Sequence, residues 1–369
     1  MSGVIVHEWI EKSGGAEKVL DSFASCFPEA DIHCLWNDDP ERFSDRSVQE
    51  TWLARSSLRR NKALALPFMP AVWNRLSGKS YDWALISSHL FAHHANFRNA
   101  SNSFRKFVYV HTPARYIWNP ELDGRGRALP ARLASPFLRT LDKSRTDRTV
   151  GYAANSEFVR ARIGRTWNQD ARVIYPPVDI DRIRAQSDWA AVLTGEEVRI
   201  FDSLPEGYIL GASRFVPYKR LDWVIRAAES AGVPAVIAGS GPEEGALRDL
   251  AYGAKVPVKV IARPSDELLF SLYQNALAFI FPSIEDFGIM PVEALAAGGR
   301  VIANSVGGAS ESVTPGVDGV LFSDDRWESI VDAIQDVQSV GRNTHRPDYD
   351  RFSVKRFESE VKRWVEGER

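Results

Sequence analysis

Ala278-Phe279-Ile280-Phe281-Pro282, followed two residues later by Glu285-Asp286-Phe287-Gly288-Ile289-Met290-Pro291-Val292-Glu293, is the stretch on which the fold turns. The apolar run reads as a buried strand. The second segment opens a short helix, predicted from Pro291 to Ala297 and closed by Gly298-Gly299. Proline at the first helical position and glycine past the end are the expected start and stop signals. The spacing places Glu285 on the loop and Glu293 in the first helical turn.

The chemistry of such a turn follows from its backbone. Gly288 lets the chain approach a ligand closely. A helix N-terminus offers unpaired N–H groups and a positive dipole end to an anion. Two carboxylates beside an anion site suit a ligand carrying both phosphate and hydroxyls, such as a nucleotide sugar. Spacing alone also allows a solvated helix start, so the rest of the chain has to decide.

Strand and helix patterns alternate on both sides of this stretch, which implies parallel α/β sheets. Val4 to Val6, Ala84 to Ser87 and Phe107 to Val110 read as buried strands. Gly14-Gly15 opens a helix to about Phe27, and Ser156 starts another after Gly151 to Ala154. The prolines of Val173-Ile174-Tyr175-Pro176-Pro177-Val178-Asp179 hold the chain extended and mark a linker. A second alternation follows, with strands at Tyr208 to Ala212, Ala235 to Ala238, Val258 to Ala262, Phe279 to Phe281 and Val301 to Ala303. Helices are predicted from Pro217, Pro242 and Ser265. Such a doubly wound sheet binds ligands at the carboxyl ends of its strands. Phe357, Val361, Trp364 and Val365 recur at helical spacing between Ser353 and Glu366, so this tail packs on one of the domains.

Length and composition bound the reading. A chain of 369 residues holds two ordinary domains, and 44% hydrophobic with 25% charged residues is a globular composition. Cys26 and Cys34 lack metal-ligand spacing and a disulfide framework, which fits a reducing compartment. The N-terminal strand does not read as a signal peptide, and no run reaches membrane-spanning length. These points indicate the cytoplasm. Residues 1–170 carry 24 Lys and Arg against 18 Asp and Glu, while residues 171–369 carry 22 against 30. Arg55, Arg59, Arg60 and Lys62 lie among Leu58, Leu64, Leu66, Phe68, Met69, Val72 and Trp73. That mixture reads first as an amphipathic helix facing the core. It also suits an anionic bilayer or a phosphate-bearing acceptor, and so a peripheral place on the inner face of the membrane. The mildly acidic chain has no nucleic-acid module.

Other candidates fall where strands end. Arg214 and Lys219 can neutralise a diphosphate, Arg as a planar fork and Lys as a point charge. They also read as solvated charges, but cations at a helix start oppose the dipole, which asks for a compensating anion. Gly14-Gly15, with Glu17 beside them, can admit a phosphate or an acceptor, or form a plain tight turn. His111, in His111-Thr112-Pro113-Ala114-Arg115, follows a strand end on the cleft side of its sheet, or is a satisfied surface histidine. Arg263 ends a strand where a nucleobase can rest. Gly307-Gly308 is a weak glycine-rich signal. His89, His93 and His94 read as ordinary polar positions, not a metal cluster.

In this order, Gly14-Gly15, His111-Thr112-Pro113, Arg214 with Lys219, Glu285 with Glu293, and the C-terminal helix resemble a retaining glycosyltransferase of family 4. The resemblance covers nearly the whole chain. It implies the GT-B architecture: an α/β protein with two Rossmann-like domains facing across a cleft. It implies an acceptor-binding domain at residues 1–172, a nucleotide-sugar-binding domain at 173–350, and a helix at 351–369 returning to the first. It also implies the roles. Arg214 and Lys219 bind the donor diphosphate, Glu293 the ribose, and Glu285 the hydroxyls of the transferred sugar. The backbone N–H groups of Phe287, Gly288 and Ile289 meet sugar and distal phosphate. His111 sits beside the donor sugar, Arg263 frames the base, and Gly15 makes room for the diphosphate. Gly14, Glu17 and Arg115 face the acceptor.

The resemblance implies neither a metal nor another cofactor, and no residue stands out as a covalent nucleophile. Front-face transfer with retention is therefore expected, the leaving phosphate taking the acceptor proton. Tyr109 to Trp118 and Glu285 to Ile289 resemble mannosyltransferases of bacterial exopolysaccharide and O-antigen assembly. That favours GDP-mannose, with a UDP-sugar next, and a glycan or polyprenyl-diphosphate-linked acceptor. A sugar-nucleotide epimerase of the same architecture and a nucleotide-sugar-binding scaffold are the alternatives. The first lacks an acid/base pair for epimerisation; the second is opposed by the intact Arg214, Lys219, Glu285, Glu293 and His111.

Overall fold

A computed structural model describes residues 2–118, 129–323, 326–341 and 347–367. The chain divides into two compact units, Met1–Pro177 with Val354–Arg369, and Val178–Ser353.

The first unit holds a seven-stranded sheet. Its strands are β1 (Gly3–His7), β2 (Asp31–Cys34), β3 (Val48–Glu50), β4 (Trp83–Ser88), β5 (Arg105–Val110), β6 (Gly151–Ala154) and β7 (Arg172–Val173). They lie in the order β3-β2-β1-β4-β5-β6-β7, and neighbours pair in parallel. A parallel sheet is covered on both faces, so its strands are apolar at successive positions rather than alternate ones. Val4, Val6, Ala84, Ile86, Val108 and Val110 face one core. Ile5, Ile32, Leu85, Phe107 and Tyr109 face the other. The short strands β2 and β3 carry too few apolar residues for the periodicity to reveal them.

The C-terminal helix, Val354–Glu366, closes the second of these cores. Phe357 stacks on Phe23 at 5.7 Å and meets Tyr109 edge-on at 5.7 Å. Trp364 packs edge-on to Phe107 at 5.4 Å. The four residues picked out by helical spacing, Phe357, Val361, Trp364 and Val365, are all buried. Cys26 and Cys34 are buried and free.

The second unit holds a six-stranded parallel sheet of β8 (Ile209–Arg214), β9 (Ala235–Ser240), β10 (Val258–Ala262), β11 (Phe279–Phe281), β12 (Val301–Asn304) and β13 (Gly319–Phe322). Their order is β10-β9-β8-β11-β12-β13. The chain therefore winds one way from β8 and the other way from β11. The first sheet reverses likewise between β1 and β4. Loops on opposite sides of such a reversal part from each other, opening a crevice at the carboxyl ends of the two strands. Among the described residues, no helix is long and apolar enough to cross a membrane.

Candidate active site

In the second unit the reversal lies between β8 and β11, and the candidate residues gather at its carboxyl end. Arg214 is the last residue of β8. Val216-Pro217 then tightens the chain into a 3₁₀ turn, Pro217–Lys219. Lys219 Nζ lies 2.7 Å from Glu285 Oε1, on the loop after β11. It also sits 5.4 Å from the ring centres of Tyr218 and Phe281. Arg214 donates from Nη2 to the Tyr218 hydroxyl at 2.6 Å. The anion that offsets Lys219 is thus a residue of the protein itself.

The helix after this loop begins earlier than its proline indicates. It spans Ile289–Ala296, with Gly288 as its cap at φ 99°. Pro291 is then the third helical residue. It is tolerated because N–H groups of a first turn have no intrahelical acceptor. Glu293 accordingly stands in the second turn, not the first. The Phe287 side chain is buried against Phe352, with ring centres 5.5 Å apart, so only its backbone can serve a ligand. Gly298 closes the helix at φ 87°.

The late glycine pair has a structural purpose that its sequence hid. A Cβ on Gly308 would stand 2.1 Å from the Asp286 carbonyl oxygen, and one on Gly307 2.8 Å from that of Glu285. Gly308 N–H donates to Glu285 O at 2.8 Å. Gly307-Gly308 is therefore the bed on which the acidic loop lies. Gly239 works similarly one strand over, since a Cβ there would stand 1.8 Å from Ser213 O. Its carbonyl accepts the N–H of Arg263 at 2.8 Å. Arg263 has a left-handed backbone, φ 50°. That conformation costs a residue with a side chain roughly 1–2 kcal/mol.

In the first unit the reversal lies between β1 and β4, and a hydrogen-bonded chain crosses it. His7 ends β1, Ser87 lies opposite it in β4, and His111 follows β5. His7 Nδ1 is 2.9 Å from Ser87 Oγ, and Ser87 Oγ is 2.8 Å from His111 Nε2. Glu17 joins from the helix Gly15–Cys26, its Oε1 3.9 Å from His7 Nε2. The Glu17 carboxylate is folded back so that a Cβ on Gly14 would stand 2.1 Å from Oε2. Gly14 thus admits a side chain of the protein. Gly15 is the first residue of that helix, and Arg115 begins the short helix Arg115–Trp118.

Burial decides the charge states in this chain. It pushes His111 down to about 3, helped by His7 and opposed by Glu17. His111 is neutral at any ordinary pH. Burial also raises Glu17, but the nearby His7 ring and the N–H of Glu11 outweigh this, and the carboxyl titrates below its usual range. Next to His7, the buried Glu8 accepts the N–H groups of Leu90 at 2.8 Å and Ala92 at 2.7 Å. Burial nevertheless lifts it to about 7.

His7, Glu8 and Ser87 were not among the sequence candidates. The signal was a polar residue ending an apolar strand, as in Val4-Ile5-Val6-His7 and Ala84-Leu85-Ile86-Ser87. His93 and His94 are not ordinary polar positions either, being buried around Asp142. Asp142 Oδ2 accepts the indole N–H of Trp118 and of Trp167, each at 2.7 Å. Its Oδ1 lies 3.1 Å from His93 Nε2 and 3.3 Å from His94 Nε2. One carboxylate ties four rings together.

The basic segment forms short 3₁₀ and α turns between Trp52 and Trp73, not one amphipathic helix. Met69, Val72 and Trp73 are buried, whereas Trp52, Leu64 and Phe68 are exposed. Arg59 pairs with Asp38 and Lys62 with Glu11.

Residues 13–182 match the family described as Glycosyltransferase Family 4. Residues 200–349 match that described as Glycosyl transferases group 1. An uncharacterised glycosyltransferase of Methanocaldococcus jannaschii is 32% identical over 162 residues, covering 40% of this chain and 42% of that protein. The GDP-mannose-dependent alpha-(1-6)-phosphatidylinositol monomannoside mannosyltransferase of Mycobacterium tuberculosis is 29% identical over 221 residues, or 55% of this chain and 56% of that protein. The chain spans about half the length of these curated relatives. The crystal structure of the Anabaena protein HepE in complex with UDP superposes with a TM-score of 0.69 over 98% of both chains at 17% identity. The two parallel sheets are those of the GT-B fold, and with both halves matched in order the chain belongs to glycosyltransferase family 4.

Proposed function

We propose that the protein transfers a hexose, mannose before others, from a nucleoside-diphosphate sugar to a glycan or polyprenyl-diphosphate-linked acceptor. The anomeric configuration is retained and no metal takes part. The observation that carries this reading is the Lys219–Glu285 pair at the strand reversal of the second unit, beside Arg214 and the start of the helix Ile289–Ala296. Breaking an anomeric bond to diphosphate leaves negative charge on the phosphates and positive character on the sugar. Lys219, Arg214 and the N–H groups of Gly288 and Ile289 meet the first. Preorganised donors of this kind lower such a barrier without a Lewis acid. Glu285 and His111 hold sugar hydroxyls, Glu293 the ribose, and Arg263 the base. Gly14, Gly15, Glu17 and Arg115 border the acceptor. Exposed Trp52, Leu64 and Phe68 near Arg55 and Arg60 support a peripheral place on an anionic membrane face.

GDP-mannose is favoured by the mannosyltransferase among the relatives. A UDP-sugar is the second reading, supported by the Anabaena structure solved with UDP-glucose. Incubation with GDP-mannose and with UDP-glucose, plus a polyprenyl-diphosphate-linked acceptor, tests both, with proton NMR reading the new linkage. An α-linked product formed in the presence of a chelator supports the proposal. A β-linked product, or strict dependence on added divalent ions, defeats it.

A further inference from the structure

We infer that His7 and Ser87 are positioning residues that hold His111 with Nδ1 as a hydrogen-bond acceptor, so that the donor-sugar group it meets must be a hydroxyl that donates. This rests on the proposed reading of His111 as a sugar contact.

The argument begins from the strand register. His7 and Ser87 are direct partners across β1 and β4, and Ser87 pairs with Tyr109 across β4 and β5. Their side chains therefore stand in a row at the carboxyl ends of three adjacent strands, where His111 also leaves the sheet. Within the row each hydroxyl or ring nitrogen can donate or accept, so it has two self-consistent directions. In one, His7 carries its proton on Nδ1, the Ser87 hydroxyl donates to His111 Nε2, and His111 presents an N–H at Nδ1. In the other, every proton moves one place and His111 presents a lone pair at Nδ1.

While the His7 ring is neutral, Glu17 decides between them; a doubly protonated ring would donate at Nδ1 and fix the first direction. His7 is fully buried, and its Nε2 lies 3.9 Å from Glu17 Oε1. That oxygen is held in place by the N–H of Glu11, at 3.3 Å. A lone pair facing a carboxylate in a buried site is repelled, and an N–H facing it is attracted. The proton of His7 therefore sits on Nε2, and Nδ1 accepts the Ser87 hydroxyl. Ser87 Oγ then accepts from His111 Nε2–H, and Nδ1 is left as an acceptor. Among the described residues His111 Nδ1 has no hydrogen-bond partner. A deoxy or fluoro sugar cannot donate to it, and a carboxylate at that place is repelled.

Nitrogen-15 NMR of the histidine rings in the whole protein reads the tautomer directly, independently of turnover. His111 is expected with Nε2 protonated and Nδ1 bare at neutral pH. A protonated Nδ1 overturns the inference. Glu17→Gln removes the charge that sets the direction and is expected to mix the two tautomers; an unmixed spectrum counts against the relay. In the transfer assay, wild type is expected to favour the hydroxyl donor over its deoxy or fluoro analogue by about tenfold to a hundredfold. Ser87→Ala is expected to lose that preference and Ser87→Thr to restore it. Equal turnover of both donors by wild type defeats the specificity half. Absence of turnover with every hydroxyl-bearing donor instead overturns the proposed function, and with it that half, while the ring tautomer is still read.

Discussion

Lys219 Nζ and Glu285 Oε1 stand 2.7 Å apart, joining the turn after β8 to the loop after β11 across the strand reversal. Both side chains are mostly buried, 11% and 16% exposed, so the pair is screened far less than a surface bridge. A diphosphate has to compete with Glu285 for the same ammonium group. Glu285→Gln should therefore bind nucleoside diphosphate more tightly, by about tenfold, while turning over more slowly. Calorimetric titration with GDP and UDP, beside a transfer assay, reads both. Weaker binding by the variant would show that Glu285 does not oppose the phosphates.

Lys219→Ala removes the cation that sits 2.7 Å from the Glu285 carboxylate. Turnover should fall about 10²- to 10³-fold, the usual effect of losing one donor to a developing anion. Loss of the ammonium group beside the mostly buried Glu285 should also cost roughly 1–3 kcal/mol of stability. The double variant Lys219→Ala/Glu285→Gln should recover most of that stability but none of the activity. Additive losses in urea denaturation would mean the two residues are uncoupled.

Gly308→Ala tests the bed of the acidic loop. The added methyl meets backbone at Asp286, which cannot swing aside as a flexible side chain can. The loop should shift, lowering the thermal midpoint and abolishing the stabilisation that a nucleotide gives. A variant with an unchanged nucleotide response would show that the loop position is immaterial to binding.

The longer strands of both sheets and the helix starts and stops were legible because they rest on local patterns. Apolar runs such as Phe107 to Val110, the Ser156 and Ser265 caps, and Gly298 past a helix end each state their conformation in a few residues. Ser156 and Ser265 do accept the N–H groups of Val159 and Leu268. The start of the helix Ile289–Ala296 was misread because a proline is tolerated throughout a first turn. The hydrogen-bonded row of His7, Ser87 and His111 was invisible for another reason. Its members are 80 and 24 positions apart and meet only through strand order, which periodicity does not encode. The grouping of His93 and His94 around Asp142 spans 48 positions and is equally non-local.

Asp142→Asn should be severe. The carboxylate accepts two indole N–H groups on one oxygen, whereas an amide offers one oxygen and turns an NH₂ toward the other donors. A loss of about 1.5–3 kcal/mol is expected, the usual worth of hydrogen bonds to a charged acceptor. Chemical denaturation followed by tryptophan fluorescence measures it. A loss below about 1 kcal/mol would show that the four rings hold together without the carboxylate.

Glu8 makes stability depend on pH. Its folded value of about 7 lies above the ordinary 4.5, so the folded chain keeps a proton that the unfolded chain releases. Stability from this group is intact below pH 4.5 and is lost as pH rises to about 7, by on the order of 3 kcal/mol. Glu8→Gln keeps an oxygen for the N–H groups of Leu90 and Ala92 but does not titrate. The variant should therefore gain on wild type between pH 4.5 and 7, and hold that gain above it. A difference that is flat with pH would mean Glu8 is charged in the folded protein.

The C-terminal helix has a consequence for biosynthesis. Phe357, Val361, Trp364 and Val365 complete a core whose other members are in place before residue 175. The second unit is continuous in sequence and lies wholly upstream of that helix. During translation the later-made unit can therefore finish its core first. The first-made unit waits, with Phe23, Phe107 and Tyr109 uncovered, until Val354–Glu366 has left the ribosome. Chains that stall late in synthesis carry a finished second unit and an open first one, a state exposed to chaperones, proteases and aggregation.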